Sequence, residues 1–304
     1  MSWLGLPREL ELTWWTTMGL FVGSFLNVAI HRLPREDMSV SKPRRSVCPK
    51  CGRQLTWSEN IPLVSWIAQR GRCRGCKAPI SARYPLVEAL TACAWWLCAY
   101  LTPSESWPLL TIRVTVLSGL IVATFVDFDC FEIPDEVSIG GMVLAPLASF
   151  LVPQLHADTW LAQHFSNAPE VTRAGALIAS LGGMAVGGGV LIVIGWLGKR
   201  MFGRDAMGFG DVKLLAAAGG FVGPGGALAA LVIASFVGAL AGLGNIVRFV
   251  VVLRARVAAR RTQRSFARSL HAARAAGQML PFGPYLALGT AIALLYWKHI
   301  SVRL

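Results

Sequence analysis

Charged side chains are scarce in this chain. Only 15% of its 304 residues are Asp, Glu, Lys or Arg, whereas 54% are hydrophobic. A soluble domain carries roughly a quarter charged residues, and the mean hydropathy here is +0.54. The missing charge leaves long apolar runs, which are typical of membrane-spanning helices. The composition therefore argues against an ordinary soluble protein and predicts an all-α integral membrane protein.

Acidic residues are scarcer still, with 16 against 29 basic residues and a net charge of +13. Residues 248–278 hold eight basic residues and no acid, and residues 32–83 hold a further 12 basic residues. Basic blocks between apolar runs are typical of cytoplasmic loops, where they also contact anionic lipid. No aromatic-interleaved binding motif accompanies the charge. We therefore predict membrane lipid as a partner and no nucleic acid.

The apolar runs predict about eight transmembrane helices. They cover 14–31, 85–101, 109–127, 137–152, 174–197, 210–223, 226–247 and 282–297. With the N-terminus outside, the cytoplasmic loops carry 23 basic residues and the opposite side carries four. This imbalance predicts a multi-pass protein of the bacterial inner membrane with both termini outside.

The first run has the opposite charge order from a secretory signal peptide, since acids precede it and basic residues follow it. No small-x-small cleavage site follows the run either, so we expect a retained anchor. The chain then divides into an N-terminal anchor (1–31), a cytoplasmic module (32–83) and a multi-helix membrane core (84–304). The sequence does not assign an oligomeric state.

Only seven cysteines are present, and four of them form two C-x-x-C pairs. Cys48 and Cys51 are separated from Cys73 and Cys76 by 21 residues, a spacing similar to that of zinc ribbons, in which four thiolates hold one tetrahedral Zn²⁺. Disulfides are the competing interpretation, but they are rare in the cytoplasm. We predict a small zinc-ribbon-like domain between the first and second helices, with a structural Zn²⁺.

Two acidic segments border apolar runs on the cytoplasmic side. Asp127 ends the third predicted span, and Asp211 begins the sixth, directly after Gly208 and Gly210. Carboxylates at membrane depth are functional candidates, and two facing carboxyls that share a proton serve acid–base catalysis. The two glycines would let a substrate strand approach Asp211. Taken alone, these residues fit an ion-coupling pair or interfacial acids as well as a catalytic pair.

Other notable residues receive structural interpretations. Gly183 and Gly187 have small-xxx-small spacing, which predicts close helix packing. His156 and His164 lie in the outer loop 153–173, and we expect both to be solvated.

Seven segments and the four cysteines occur together in one order over nearly the whole chain. The segments are GSFLNV (23–28), HRLP (31–34), NIPLVS (60–65), RYPLVE (83–88), FVDFDCFEIPD (125–135), MGFGDVKLL (207–215) and PFGPYLA (281–287). In these segments the chain resembles the bacterial type IV prepilin peptidases, also called leader peptidase/N-methyltransferases, which are membrane aspartic peptidases of the Gly-x-Gly-Asp type.

The resemblance implies cleavage of the leader peptide from type IV prepilins and type II secretion pseudopilins at the cytoplasmic membrane face. By motif position the catalytic pair is Asp127 and Asp211. The cysteine module further implies methylation of the new N-terminus with S-adenosylmethionine, although no residue is assigned to that cofactor. We also expect a group of local acids to contact the basic leader: Asp129, Glu132, Asp135 and Glu136.

Three alternatives stay open at this stage. A peptidase without methyl transfer would carry the same aspartates. A non-enzymatic scaffold of pilus assembly would need the cysteines but tolerate loss of the aspartates. An ion-coupled transporter would use the aspartates and leave the cysteine module without a purpose.

Overall fold

The computed structural model describes residues 7–35, 46–104, 106–166, 170–203, 207–259 and 281–301. Most of the basic loop 248–278 and the start of the cysteine module lie outside these residues. Within them the chain is helical and has no strand. Two isolated antiparallel bridges, Val47–Gln54 and Arg72–Pro79, occur in the cysteine module. The predicted all-α class is confirmed.

Nine α-helices and two short 3-10 helices make up the described chain. The helices are α1 (Arg8–Arg32), α2 (Val64–Ala68), α3 (Arg83–Leu101), α4 (Trp107–Cys130), α5 (Asp135–Leu151), α6 (Trp160–His164), α7 (Arg173–Phe202), α8 (Phe209–Ala259) and α9 (Gly283–Ser301). The 3-10 helices are Trp57–Glu59 and Pro153–His156.

Each predicted span coincides with a helix, and three helical stretches are long and apolar enough to cross a membrane. These are Trp107–Cys130, Arg173–Met201 and Phe209–Val252. The last contains two predicted spans, and its helix is interrupted between them at Gly223, where φ is 74°. Pro224 follows, which also breaks helical hydrogen bonding. The count of eight spans remains a prediction.

The helices α7 and α8 touch along their backbones. A Cβ at Gly183 would lie 2.0 Å from the carbonyl oxygen of Gly219, and one at Gly187 would lie 2.4 Å from that of Leu215. Backbone atoms cannot move aside as a flexible side chain can. The close packing predicted for Gly183 and Gly187 is therefore present, and it fixes α8 against its neighbour.

We expect Gly183→Ala to lower the stability of the protein by roughly 1–3 kcal/mol, because the added methyl group overpacks this contact. Gly189→Ala is the matched control, since a Cβ at Gly189 meets nothing within 4 Å. The measurement is thermal unfolding of the two purified variants in detergent. Equal unfolding temperatures would contradict the contact.

Helix α8 packs against α5, α7 and α9. Helix α4 also packs against α5 and α9. The helices α1 and α3 pack against each other and against α4. The end of α4 and the start of α8, which carry the two aspartates of interest, therefore lie in one group of helices.

His156 contradicts the prediction that both outer-loop histidines are solvated. It is fully buried, and its Nε2 lies 2.9 Å from Ser149 Oγ. The segment Pro153–His156 folds back against the preceding helix α5 and against α7 and α8, so the histidine is covered by helices that come together only in the folded protein. His164 is exposed, as predicted.

Candidate active site and metal centre

Asp127 lies in the last turn of α4 and is only 5% exposed. Its backbone carbonyl accepts a hydrogen bond from Phe131 N–H, which closes the helix end. Its carboxylate accepts a hydrogen bond from Gly283 N–H, with 3.0 Å between N and Oδ2. Gly283 is the first residue of α9, so Asp127 is held by a helix N-terminus, where negative charge is favoured.

Asp211 lies in the first turn of α8 and is partly exposed. Gly208 N–H donates a hydrogen bond to its carboxylate, and the Asp127 carboxylate is close enough to interact with it electrostatically. Residues 84 positions apart in the sequence thus bring two carboxyl groups together at one end of the helix group. The two carboxyl groups therefore lie close enough for the charge of one to act on the other.

Ile133 closes the space behind the aspartates. A Cβ at Gly210 would lie 3.4 Å from Ile133 Cβ, which is ordinary contact, whereas one at Gly283 would lie 2.5 Å from Asp127 Oδ2. Gly283 is therefore required for close approach to Asp127. The sequence analysis did not assign it to the site, and the signal that marked it was its place in the PFGPYLA segment.

Gly208 and Gly210 lie on the open side of the site. Gly208 is exposed and Gly210 is partly exposed. The nearest atom to a Cβ at Gly208 is Asp211 Oδ2 at 3.5 Å. A Cβ at either glycine would meet only ordinary contacts, so neither glycine is required by packing in the protein itself.

Two ion pairs lie next to the two aspartates. Arg83 of α3 pairs with Asp129 of α4 and donates to Phe125 O at 3.1 Å. Lys213 of α8 pairs with Asp135 of α5. These pairs tie together the helix ends that carry Asp127 and Asp211.

The ion pairs bear on the four acids expected to contact a basic leader. Asp129 and Asp135 are already neutralised by Arg83 and Lys213. Glu132 and Glu136 are exposed and have no ion pair within the described parts of the chain. The last two are therefore the better candidates.

The four predicted metal ligands form one cluster. The Sγ atoms of Cys48, Cys51, Cys73 and Cys76 all lie within 4.8 Å of one another, and those of Cys48 and Cys76 are 3.9 Å apart. Tetrahedral Zn–S bonds of about 2.3 Å place sulfur atoms about 3.8 Å apart. The cluster has the size and the donor set that suit a structural zinc ion.

The two C-x-x-C turns have the same backbone geometry. Cys48 N–H donates to Arg53 O, and Cys73 N–H donates to Ala78 O, both at 2.9 Å. Gly52 and Lys77, which follow the second cysteine of each pair, have φ of 70° and 59°. Each pair is therefore a compact knuckle that directs its two sulfur atoms to one side.

The turns also favour thiolates. The backbone N–H groups of Cys51 and Lys50 lower the pKa of Cys48, and those of Cys76 and Gly75 lower the pKa of Cys73 to about 6. At Cys76, burial and the neighbouring thiols outweigh the Ala78 N–H and raise the pKa to about 11. Four thiols this close cannot all lose their protons unless a cation neutralises the thiolates. A bound metal ion would supply that positive charge.

We expect the purified protein to contain zinc and the variants Cys48→Ser and Cys73→Ser to lose it, because three thiolates bind the ion more weakly. Elemental analysis by mass spectrometry measures the metal content. Cys93→Ser is the control, since Cys93 is exposed and lies outside the cluster. Undiminished zinc in a Cys48→Ser/Cys73→Ser double variant would contradict the assignment.

Comparison with known proteins agrees with this arrangement. Residues 17–102 match the bacterial peptidase A24 N-terminal domain, and residues 114–243 match the type IV leader peptidase family. The prepilin leader peptidase/N-methyltransferase of Aeromonas hydrophila is 35% identical over 309 residues, which cover 93% of this chain and 89% of that protein. The protein of the same description from Pseudomonas aeruginosa is 33% identical, with 93% and 90% covered.

No solved structure was found to match the chain. The two matching regions together include both cysteine pairs, Asp127 and Asp211. The resemblance stated from the sequence segments is confirmed, and this chain belongs to the type IV leader peptidase family.

Proposed function

We propose that this protein cleaves the leader peptide from type IV prepilins and type II secretion pseudopilins and then N-methylates the new N-terminal residue. The observation that carries the proposal is that the Asp127 and Asp211 carboxyls, at the ends of α4 and α8, lie close enough to interact electrostatically. The relatives named prepilin leader peptidase/N-methyltransferase support both activities.

Asp127 and Asp211 are proposed as the catalytic pair. With one proton shared between them, the ionised carboxylate takes a proton from water as the water oxygen attacks the scissile peptide carbonyl. The protonated carboxyl donates its proton to the carbonyl oxygen, and the proton taken from water then passes to the peptide nitrogen as the C–N bond breaks. The titration belongs to the pair, so neither residue is assigned a single role. The exposure of Gly208 and the partial exposure of Gly210 support the approach of an extended substrate strand to Asp211.

Methyl transfer is proposed to use S-adenosylmethionine, in keeping with the N-methyltransferase names of the relatives. The cysteine cluster is proposed to stabilise the module with Zn²⁺. With four thiolates forming a complete tetrahedron, no coordination position is left for chemistry.

The proposed location is the bacterial inner membrane. The anchor (1–31), the cysteine module (32–83) and the membrane core (84–304) form the proposed division of the chain. The excess of basic residues in the predicted cytoplasmic loops supports the proposal that the module and the aspartates lie on the cytoplasmic side and both termini outside.

Co-expression with a prepilin tests the function directly. The wild-type protein is expected to convert the prepilin to a shortened pilin whose intact mass carries a further methyl increment of ~14 Da. A shortened product without that increment would support the peptidase activity and contradict the methyltransferase activity. A full-length product in cells that contain the protein would refute the proposal.

We expect Gly210→Ala to keep the protein folded and to lower prepilin cleavage. A Cβ at Gly210 lies at ordinary contact distance from Ile133, so the methyl group would obstruct only a strand bound beside Asp211. The measurements are thermal unfolding and the rate of leader removal. Unchanged cleavage would contradict the substrate-approach role, and Gly140→Ala serves as the control because a Cβ there meets nothing within 4 Å.

A further inference from the structure

The cysteine module exposes large apolar side chains on and beside α2. Trp57 is 82% exposed, Val64 60% and Ile67 67%. Trp66 of the same helix instead packs inside the module, where its Nε1 donates to Ile80 O at 3.2 Å. Val64 and Ile67 are three residues apart, so they share one face of the helix.

The start of α2 is tied to α3 near the end of the membrane helices. The Arg83–Asp129 ion pair places the start of α3 beside the end of α4, which is a candidate membrane span. Leu63 N–H donates to Glu88 Oε2 at 2.8 Å. Glu88 is buried in the second turn of α3.

The second turn of α3 is packed inside the helix group. A Cβ at Gly23 in α1 would lie 2.8 Å from the Cα of Glu88. Leu86 and Leu90 of α3 are 57% and 43% exposed and lie on the opposite face of the helix from Glu88. The start of α2 is therefore fixed to the helix group within two turns of the end that α3 shares with α4.

The charge of the module fits an anionic surface. Its exposed charged residues within 46–83 are all basic: Lys50, Arg70, Arg72, Arg74 and Lys77. The only acid there, Glu59, is buried and paired with Arg53. Exposed apolar side chains with a basic surround are typical of segments that lie in a membrane interface.

We propose that α2 and Trp57 form an interfacial anchor that inserts Val64, Ile67 and Trp57 into the adjoining leaflet, with the basic residues on anionic headgroups. The Glu88–Leu63 hydrogen bond tethers this anchor to the helix group. The metal module is thereby held flat against the membrane rather than projecting from it. This inference does not rest on the proposed catalytic activity.

Photo-crosslinking of the full-length protein in lipid nanodiscs tests the anchor. p-Benzoylphenylalanine replaces Val64 or Ile67, with Leu90 as the lipid-facing comparison and the exposed Gln54 as the control on the metal knuckle. In discs that contain phosphatidylglycerol, both α2 positions are expected to form lipid adducts as Leu90 does, and Gln54 is not. Replacing the anionic lipid by phosphatidylcholine is expected to reduce the α2 adducts and leave the Leu90 adduct unchanged.

Two results would overturn the proposal. One is the absence of lipid adducts at both α2 positions while Leu90 gives them. The other is an adduct at Ile67 to an added prepilin or to a second copy of the chain in place of lipid, which would make this face a protein interface.

Discussion

Asp127→Asn and Asp211→Asn are each expected to lower prepilin cleavage by roughly 10²–10⁴-fold, the usual contribution of a general acid or base. Asn keeps the shape of Asp and most of its hydrogen bonding but cannot carry the shared proton. The structure supports this expectation, because the two carboxyls come from separate helices and lie close enough to interact electrostatically. The measurement is the rate of leader removal by intact mass.

The control is Asp129→Asn, two residues from Asp127. Asp129 is exposed and paired with Arg83, so its loss is expected to weaken a helix contact without removing the chemistry. Cleavage that persists in either catalytic variant at normal protein levels would refute the assignment. Loss of cleavage in all three variants together with a lower unfolding temperature would mean that the acids serve structure.

Gly283→Ala is expected to reduce kcat by roughly 10²-fold with little change in KM, because displacement of a reacting group by about 1 Å can cost that much. The new Cβ would lie 2.5 Å from Asp127 Oδ2 and 3.2 Å from Ile133 Cδ1. The carboxylate must then rotate away from the Gly283 N–H that holds it. Gly283 is thus a positioning residue for Asp127.

A measurement of methyl transfer to an already shortened pilin distinguishes the positioning role of Gly283 from a general loss of structure. In the Gly283→Ala variant methyl transfer is expected to continue, since the substitution disturbs only the aspartate pair. A parallel loss of both activities, or an unchanged kcat, would contradict the positioning role. Gly140→Ala provides the comparison for an alanine substitution in free space.

The metal cluster was predictable from the sequence because each C-x-x-C knuckle is a local structure. Backbone hydrogen bonds within about five residues shape each turn, so the spacing of the cysteines already indicates where the sulfur atoms point. Only the approach of the two knuckles to each other needed the fold. The four Sγ atoms all lie within 4.8 Å of one another, in agreement with that expectation.

The aspartate pair was predictable in part. Hydropathy indicated that Asp127 and Asp211 lie at helix ends on the same side of the membrane. It could not indicate the Gly283 hydrogen bond, because that contact joins residues 156 positions apart. Nor could it show that Arg83 and Lys213 already neutralise Asp129 and Asp135, since those ion pairs depend on which helices are neighbours.

The sequence by itself determined the helical membrane class, the four metal ligands and the family, because hydropathy, local turns and motif order are properties of short segments. Tertiary structure alone decided the burial of His156, the role of Gly283 and the hydrogen bond that ties α2 to Glu88. Each of these depends on helix packing over long separations, where close backbone contact at glycines such as Gly183 sets which side chains meet.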